Sequence, residues 1–596
     1  MNRLSTISLG LFWSVLFATS VVATDVEVTV TSGPDKLADQ LRQTSLAAKT
    51  VTDEEANVQD IIAAARADYA NLLGVLYAQA SYGAAISIRI DGTEVSSISP
   101  LSVPSDVDQI AIAVDAGPRF RFATAEVSPL PPAFKIPEGF KRRRSAGSQI
   151  IQRTVQDAIT AWRNAGYAKA QVADQSLIAN HYDATVSVSV AIETGPKLQF
   201  GDLILVTESG VREARVRAIA GLPSGEVFSE IALNETAERL RRTGAFQSVI
   251  LEETDTVRTG NLIDIIARLE PAPKRRFGVG AEVQSLEGLS LSGFWLHRNL
   301  LGGAERLRVE GEVGGIGGDS GGTDYTASIR YERPATFTPK TDLYLVGTLS
   351  AQDEPEFSQN TVVLAGGFNR ELSDTLTSEA GIAYQYSDVE DADGASVLEH
   401  VFLPLAVTFD NRNDPVDPKS GYYTSLELAP FYGINQESGD GAWSYLDART
   451  YLALGADSGT VFAIRGQLGS LIGAEAGAVP PNSLFFSGGS DTVRGQAFQS
   501  LGIETDTGTV GGRSFAAFST ELRYALNPTW SVVGFYDTGF IAADSNWSED
   551  GQSHSGAGVG LRYNTTLGPL RFDVGTPVSG GDSGAVEIYI GIGQAF

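Results

Sequence analysis

Hydrophobic and polar residues alternate along the second half of the chain with the period of two that β-strands require. We count sixteen such strands between Phe277 and the C-terminus, and the last of them covers 586–596. In that strand the apolar residues that share one face are Val586, Ile588, Ile590, Ile592 and Phe596. An apolar face opposite a polar or small one fits either a membrane barrel or a soluble sandwich.

Loop lengths decide between these two folds. Connections after even-numbered strands are mostly short, as at 527–529, whereas those after odd-numbered strands are generally longer, as at 314–322. The longest connection, 474–513, follows the eleventh strand. A soluble sandwich has no reason to sort its loops by parity, but an outer-membrane barrel does, because its periplasmic turns are short. The second half therefore predicts a 16-stranded antiparallel transmembrane β-barrel.

A short motif recurs three times in the first half of the chain. An acidic residue precedes a proline by three positions, a basic residue follows it directly, and a phenylalanine comes four positions later. The prolines are Pro118, Pro196 and Pro273, which lie 78 and 77 positions apart, and this fixed period indicates a tandem module. In the third copy, helical patterns at 211–220 and 231–240 lie between strands, so each module is expected to be α+β. The expected modules are 24–117, 118–196 and 197–274, followed by the barrel at 275–596.

The first 23 residues predict a secretory signal peptide. Arg3 precedes an apolar run from Leu9 to Val22, and small residues lead to a cleavage site before Thr24. An uncleaved membrane anchor is the alternative interpretation.

Composition excludes several classes of site. The 596 residues include no Cys, so a thiol nucleophile, a disulfide scaffold and a Cys-ligated metal are impossible. A net charge of −28 disfavours nucleic acid as a partner, because phosphate would be repelled. The histidines, whose scatter lacks the spacing of a metal site, are His181, His297, His400 and His554. We therefore expect no enzyme activity, no cofactor and no metal.

Two charged clusters each allow a structural interpretation and a binding interpretation. The basic run Lys141–Arg144 fits a solvated loop, and alternatively a patch for anionic lipid or a partner. The acidic cluster of Asp410, Asp414 and Asp417 is better explained as a proline-braced turn than as a Ca²⁺ loop, because the loop spacing is absent.

Several segments of the second half together resemble one family. They are Ser487-Gly-Gly-Ser-Asp-Thr-Val-Arg-Gly-Gln496 in the long loop after strand eleven, Phe409–Gly421, Phe535–Gly539, Gly558–Phe572 and the terminal Phe596. In this order they resemble the outer-membrane insertase superfamily, which includes BamA, TamA and the two-partner secretion transporters. The resemblance covers essentially the whole mature chain and implies that the modules are POTRA domains. BamA typically has five such domains and the two-partner transporters have two, so three modules point to the TamA type.

The resemblance implies a site inside the barrel. The long loop, the sixth on its side, folds into the lumen, where its arginine meets a carboxylate of the wall. By this match the loop-six residues are Val493, Arg494 and Gly495, with Asp537 as first and Glu521 as second choice of partner. The pair either holds the loop statically or acts as a latch for barrel opening. Gln496 departs from the family, in which an aromatic residue usually follows.

The junction of the first and last strands is a second expected site. Gly591 and Gly593 lie inside the last predicted strand, where missing side chains weaken packing or, alternatively, make room for loop six. Phe596 is expected to continue the lipid-facing row, and by resemblance it belongs to a C-terminal assembly signal.

The function implied by the resemblance is outer-membrane protein assembly. Such a protein helps insert or translocate β-rich clients, such as autotransporters, with its modules in the periplasm of a Gram-negative bacterium. The implied partners are a TamB-like protein anchored in the inner membrane, unfolded outer-membrane clients and outer-membrane lipid. A two-partner-type secretion pore and a channel or lipid-transfer platform remain open as alternatives.

Overall fold

The computed structural model describes residues 24–596 except for a set of short gaps. The gaps are 35, 54–55, 100–103, 133, 207, 285–287, 319–320, 355–356, 392–393, 456–458, 507, 548–550, 566–567 and 582–583. The predicted signal peptide lies outside the described residues. The chain divides into two compact units, the first of residues up to 200 with 225–231 and 258–262, and the second of 201–224, 232–257 and 263–596.

The first sheet has the strand order β1-β4-β2-β3 and packs against three helices. Its elements are β1 (Asp25–Ser32), α1 (Leu37–Thr44), α2 (Leu46–Thr50), α3 (Val58–Ala78), β2 (Ala85–Ile90), β3 (Thr93–Glu94) and β4 (Gln109–Asp115). Asn57 and Asp60 form a capping box that starts the 21-residue helix α3. Leu72 and Leu76 of that helix are fully buried against the sheet.

A second sheet, ordered β5-β7-β6, is covered by one helix. Its elements are β5 (Arg121–Ser128), α4 (Ser148–Asn164), β6 (Gln171–Asn180) and β7 (Thr185–Glu193). The basic run Lys141–Arg144 lies between β5 and α4 as an exposed turn. Its backbone remains tied to the strand, because the Arg143 amide donates to the Phe122 carbonyl at 2.9 Å.

A third sheet has the order β8-β10-β9 and carries two helices. Its elements are β8 (Gln199–Leu205), α5 (Glu213–Ala220), α6 (Glu230–Arg242), β9 (Phe246–Arg258) and β10 (Leu262–Pro271). Helix α5 begins two residues later than the pattern predicted and ends at Gly221, whose φ of 55° closes the helix. The order strand–helix–helix–strand–strand agrees with the sequence prediction.

The second half forms a closed antiparallel barrel of sixteen strands, as predicted. Two short segments, β18 and β19, count as one strand because both pair with β17 and β20 on either side of Pro404. A two-residue pair, β23 and β24, lies within loop six, the connection between β22 and β25. The segments of the second half are β11 (Arg275–Gln284), β12 (Gly288–Arg298), β13 (Arg306–Ile316), β14 (Asp324–Arg333), β15 (Thr341–Asp353), β16 (Phe357–Ser373), β17 (Leu376–Asp391), β18 (Gly394–Phe402), β19 (Leu405–Asp410), β20 (Gly421–Gly433), β21 (Gly441–Leu454), β22 (Thr460–Ile472), β23 (Ile503–Glu504), β24 (Thr509–Val510), β25 (Ser514–Ala525), β26 (Trp530–Ala542), β27 (Gln552–Thr565), β28 (Gly568–Ser579) and β29 (Glu587–Ile592).

Within the second unit, α5 and the loop before it contact two turns of the barrel. The Arg212 amide donates to the Gly302 carbonyl at 2.9 Å, and the Arg215 guanidinium donates to the Pro334 carbonyl. A Cβ at Gly221 would lie 2.5 Å from Cγ of Pro339, so only glycine fits at this contact. Among the helices that the structure describes, none has the length and hydropathy needed to cross a membrane.

Candidate functional site

The guanidinium of Arg494 lies at the centre of a buried cluster of carboxylates. Its Nε and Nη2 donate to the two oxygens of Asp537 at 2.7 and 3.0 Å, and Nη1 donates to Glu521 at 2.5 Å. Asp573 lies 3.6 Å from Nη1, and the ring of Phe535 lies 3.8 Å below the guanidinium carbon. Arg494 is only 2% exposed, so these partners replace the water that a charged side chain would otherwise need.

Gly495 brings the loop against the wall of the barrel. Its φ is +87°, and a Cβ there would lie 2.6 Å from the backbone nitrogen of Thr576 in β28. The wall is also flat at this point, since Cβ atoms at Gly556 and Gly575 would strike the backbone of Arg494 and Gly495 at 2.0 and 2.8 Å. Glycine is therefore required on both sides of the contact.

The residues that flank Arg494 and Gly495 in the loop are also buried. Val493 is fully buried, and Gln496 is 2% exposed. The side-chain nitrogen Nε2 of Gln496 donates to the carbonyls of Ser555 in β27 and Ser579 in β28, at 2.7 and 2.9 Å. Gln496 thus joins two wall strands through their main chain. We refer to Val493–Gln496 as the loop-six tip.

The tip also contacts the last strand directly. The Gly495 amide donates to the hydroxyl of Tyr589 at 3.0 Å. Tyr589 lies in β29, where it is the register partner of Asp573 on one side and of Gln284 in β11 on the other. The structure therefore ties loop six to the strand that closes the barrel.

The junction of β11 and β29, which we call the seam, is short. Among the described residues it contains two register pairs, Val283 with Ile590 and Gln284 with Tyr589. The neighbouring junction of β11 with β12 contains ten pairs. Most of β11 therefore has a strand partner on one side only, and Val279 on this edge is 93% exposed. An edge of this kind has backbone groups available for pairing with another strand.

The end of the chain differs from its prediction. Gly591 lies inside β29, but that strand stops at Ile592, so Gly593 lies beyond it with a φ of +99°. The chain turns there, and Phe596 does not continue the lipid-facing row. It is 6% exposed and packs against Tyr451, while its carbonyl accepts a hydrogen bond of 2.9 Å from Arg523.

The histidines are separate from one another, and no cluster of metal-ligating residues occurs in the part of the chain that the structure describes. Nε2 of His554 lies 2.8 Å from Oγ of Ser487, which holds the base of loop six to β27. In the acidic turn, Asp414 accepts from the amides of Val416 and Asp417 at 2.7 and 3.0 Å, as a braced turn does.

Sequence reasoning named Arg494, Asp537 and Glu521, and the structure places the three in contact. It missed Asp573, Tyr589 and the wall glycines. Period-two alternation does place Asp573 and Tyr589 on the face opposite the aliphatic residues, which is a signal for lumen-facing positions. The signal does not say which lumen-facing residues meet the loop, because that depends on where the loop returns.

A lumen crossed by its own loop and a barrel preceded by small α+β sheets define an outer-membrane type of β-barrel fold. The Omp85 superfamily domain matches residues 299–596, which is half of the chain. The chain therefore belongs to the Omp85 superfamily.

Similar proteins include two curated relatives. A SAM50-like protein of Schizosaccharomyces pombe is 24% identical over 322 residues, covering 50% of this chain and 64% of that protein. The outer membrane protein assembly factor BamA of Nitratidesulfovibrio vulgaris is 22% identical over 440 residues, covering 70% of this chain and 53% of that protein. The chain thus spans between half and two thirds of the length of these relatives.

Solved structures with the same fold include two bacterial proteins. BamA from Haemophilus ducreyi lacking POTRA domains 1–3 has a TM-score of 0.58 at 16% identity, covering 79% of this chain and all of that one. CdiB from Acinetobacter baumannii has a TM-score of 0.51 at 14% identity, covering 80% and 90%. At these identities the likeness concerns the fold alone.

Proposed function

We propose that this protein is an outer-membrane assembly factor that helps β-rich clients fold into, or cross, the outer membrane of a Gram-negative bacterium. The observation that carries the proposal is the seam between β11 and β29, for which the described residues give two register pairs. Its membership of the Omp85 superfamily, and the name of the relative BamA, support the same function. The proposed clients include autotransporters, and the N-terminal modules are proposed to lie in the periplasm as POTRA domains.

The proposed mechanism uses backbone pairing rather than chemistry. A client strand lacks hydrogen-bond partners in lipid, where each unpaired backbone group costs several kcal/mol. The unpaired edge of β11 offers those partners, so an open seam would template the first client strand. The driving force is the client's own burial and hydrogen bonding, and no cofactor or enzyme step is proposed.

Loop six is proposed to control that opening. Arg494 holds the tip to the wall, and Gly495 joins the tip to Tyr589 beside the seam. Release of the tip would therefore remove a contact from the closing strand. A static role, in which the loop only fills the lumen, is the competing interpretation of the same contacts.

The number of modules supports a finer assignment to the TamA type. Three sheets precede the barrel. We accordingly propose a TamB-like inner-membrane-anchored partner that contacts these modules. Copurification of such a partner with the full chain, but not with the barrel alone, is the expected result.

A reversible lock of the seam tests the proposal. The chain has no Cys, so Val283→Cys and Ile590→Cys introduce one pair of thiols across a register pair. In liposomes containing the full chain, oxidation should stop the folding of an added outer-membrane client, and a reductant should restore it. A matched lock at Leu307→Cys and Tyr331→Cys, between β13 and β14, should have no effect.

Normal client folding with the seam locked would contradict the insertase. Planar-bilayer recordings separate the alternatives, because large steady currents through the unlocked chain would indicate a secretion pore or channel. We expect small currents, since the tip and its partners occupy the lumen.

A further inference from the structure

Three residues on three consecutive strands form a row across the seam. Arg571 in β28 is the register partner of Gly591 in β29. The seam pair of Val283 with Ile590 places Glu282 of β11 at the next position opposite Gly591. Backbone pairing across the seam has already ended there among the described residues. Across the row, a basic residue, Arg571, and an acidic residue, Glu282, therefore lie on either side of Gly591, which has no side chain.

The two charged side chains meet over the glycine. Nη2 of Arg571 lies 3.5 Å from Oε1 of Glu282. A Cβ on Gly591 would lie 3.4 Å from that Nη2 and 3.7 Å from that Oε1, so a larger side chain would occupy the space between them. The Arg571 side chain is 10% exposed and the Glu282 side chain is 42% exposed. The missing side chain of Gly591 is what allows Arg571 to reach past its neighbouring strand.

The same arginine is connected to the loop-six tip. Nε of Arg571 lies 4.0 Å from Oδ2 of Asp573. That carboxylate oxygen lies 3.6 Å from Nη1 of Arg494. Charges of alternating sign thus run without interruption from Arg494 through Asp573 and Arg571 to Glu282 on the first strand.

We propose that Glu282 and Arg571 form an ionic clasp that holds the first strand against the last where backbone pairing stops. They are positioning residues for the seam, and Asp573 couples their ion pair to the state of the loop-six tip. This role rests on the proposed opening of the seam. Opening requires the clasp to break. Asp573 is already hydrogen-bonded to Arg562, and withdrawal of Arg494 removes a second cation from near this carboxylate, which strengthens its attraction for Arg571 at the expense of Glu282.

Amide hydrogen exchange of the full chain in lipid nanodiscs tests the clasp, because exchange at the seam reports the population of its open form. Glu282→Gln and Arg571→Gln should each raise the exchange rate of seam amides in β11 and β29 about two- to fivefold, as expected for a partly exposed pair. The double variant should show no further increase, since residues that act through one contact are not additive. Arg571→Lys, which keeps the charge, should restore most of the protection.

A matched control is the ion pair of Arg306 with Glu332, which joins β13 and β14 away from the seam. Glu332→Gln should leave seam exchange unchanged. Should the glutamine variants fail to fold, Gly591→Val keeps both charges, blocks their approach, and should give the same increase.

Unchanged seam exchange in the single variants, or rates that multiply in the double variant, would overturn the clasp. The measurement contains no client, so its outcome is independent of the insertase test. If the variants raise seam exchange but the full chain does not assemble clients, only the proposed function is contradicted. If the full chain assembles clients but the variants leave seam exchange unaltered, only the clasp is contradicted.

Discussion

The backbone amide of Gly495 donates a hydrogen bond of 3.0 Å to the hydroxyl of Tyr589, so the tip of loop six is joined to the strand that closes the barrel. Tyr589 pairs with Gln284 of β11, which is one of the two register pairs that the described part of the seam contains. Loop and seam therefore share a residue, and a change in one should be measurable in the other.

Removal of that hydroxyl should loosen the seam slightly. Tyr589→Phe keeps the ring but leaves the buried Gly495 amide without its acceptor, a loss of about 1 kcal/mol. Amide exchange in β29 should rise by about fivefold. Tyr445→Phe is the control, because its hydroxyl accepts from Gln467 between β21 and β22, which do not form the seam. Equal exchange in β29 for the parent and Tyr589→Phe would contradict the connection.

Loss of the central guanidinium should be more severe. Arg494→Ala leaves Asp537 buried without its cation, whereas Glu521 keeps Arg523 at 2.8 Å, and we expect a cost of about 3–5 kcal/mol in the free energy of unfolding. The barrel should still close, because its strand ladders are intact, but it should unfold at lower temperature and lose client assembly. Heat-dependent migration on gels measures the first effect.

The control for Arg494 is Arg449→Ala. Its partner Asp447 keeps a second arginine, Arg465, at 2.9 Å, so no carboxylate is left alone. An Arg494→Ala barrel as stable as this control would refute the cluster, and normal client assembly in it would refute the latch.

A wall glycine that the loop-six tip contacts should not tolerate a side chain, whereas a wall glycine with open space around it should. A Cβ at Gly556 would lie 2.0 Å from the carbonyl oxygen of Arg494, so Gly556→Ala should displace the tip and cost about 2 kcal/mol. Gly466→Ala, with open space around its Cβ position, should be neutral. Limited proteolysis within loop six should be faster in Gly556→Ala than in Gly466→Ala; equal rates would place the tip elsewhere.

The turned-in C-terminus can be located directly. A fluorophore on Phe596→Cys should be poorly quenched by brominated lipid, whereas one on Ile592→Cys, a residue 62% exposed, should be strongly quenched. Phe596→Ala should also lower stability by about 3 kcal/mol, because a buried aromatic is lost. Strong quenching at 596 would restore the lipid-facing interpretation.

Much of the architecture follows from the sequence because strand periodicity is local. Alternation and the parity of loop lengths give sixteen strands, and the repeated proline motif separates the three sheets. Phe596 shows where this reasoning fails. It keeps the phase of Ile590 and Ile592, yet the backbone at Gly593 adopts a positive φ and turns away. Periodicity predicts which side chains a strand would place on each face, but it does not show where the strand ends.

Site residues were predictable to different degrees for a similar reason. Arg494 was identified through a motif, and its charge demanded a carboxylate on the wall. Asp573 becomes meaningful only through the place where loop six returns, and Glu282 only through register across the seam, which brings it to Arg571, 289 positions away in sequence. No local pattern encodes that register.

The contact between α5 and the barrel turns is made largely to backbone oxygens, those of Gly302 and Pro334. Hydrogen bonds of this kind depend on the backbone path of a turn and not on the identity of its side chains. Related chains could therefore substitute the residues of these turns and keep the contact with α5, provided that the turns retain their length. Insertions there should be far more damaging than substitutions.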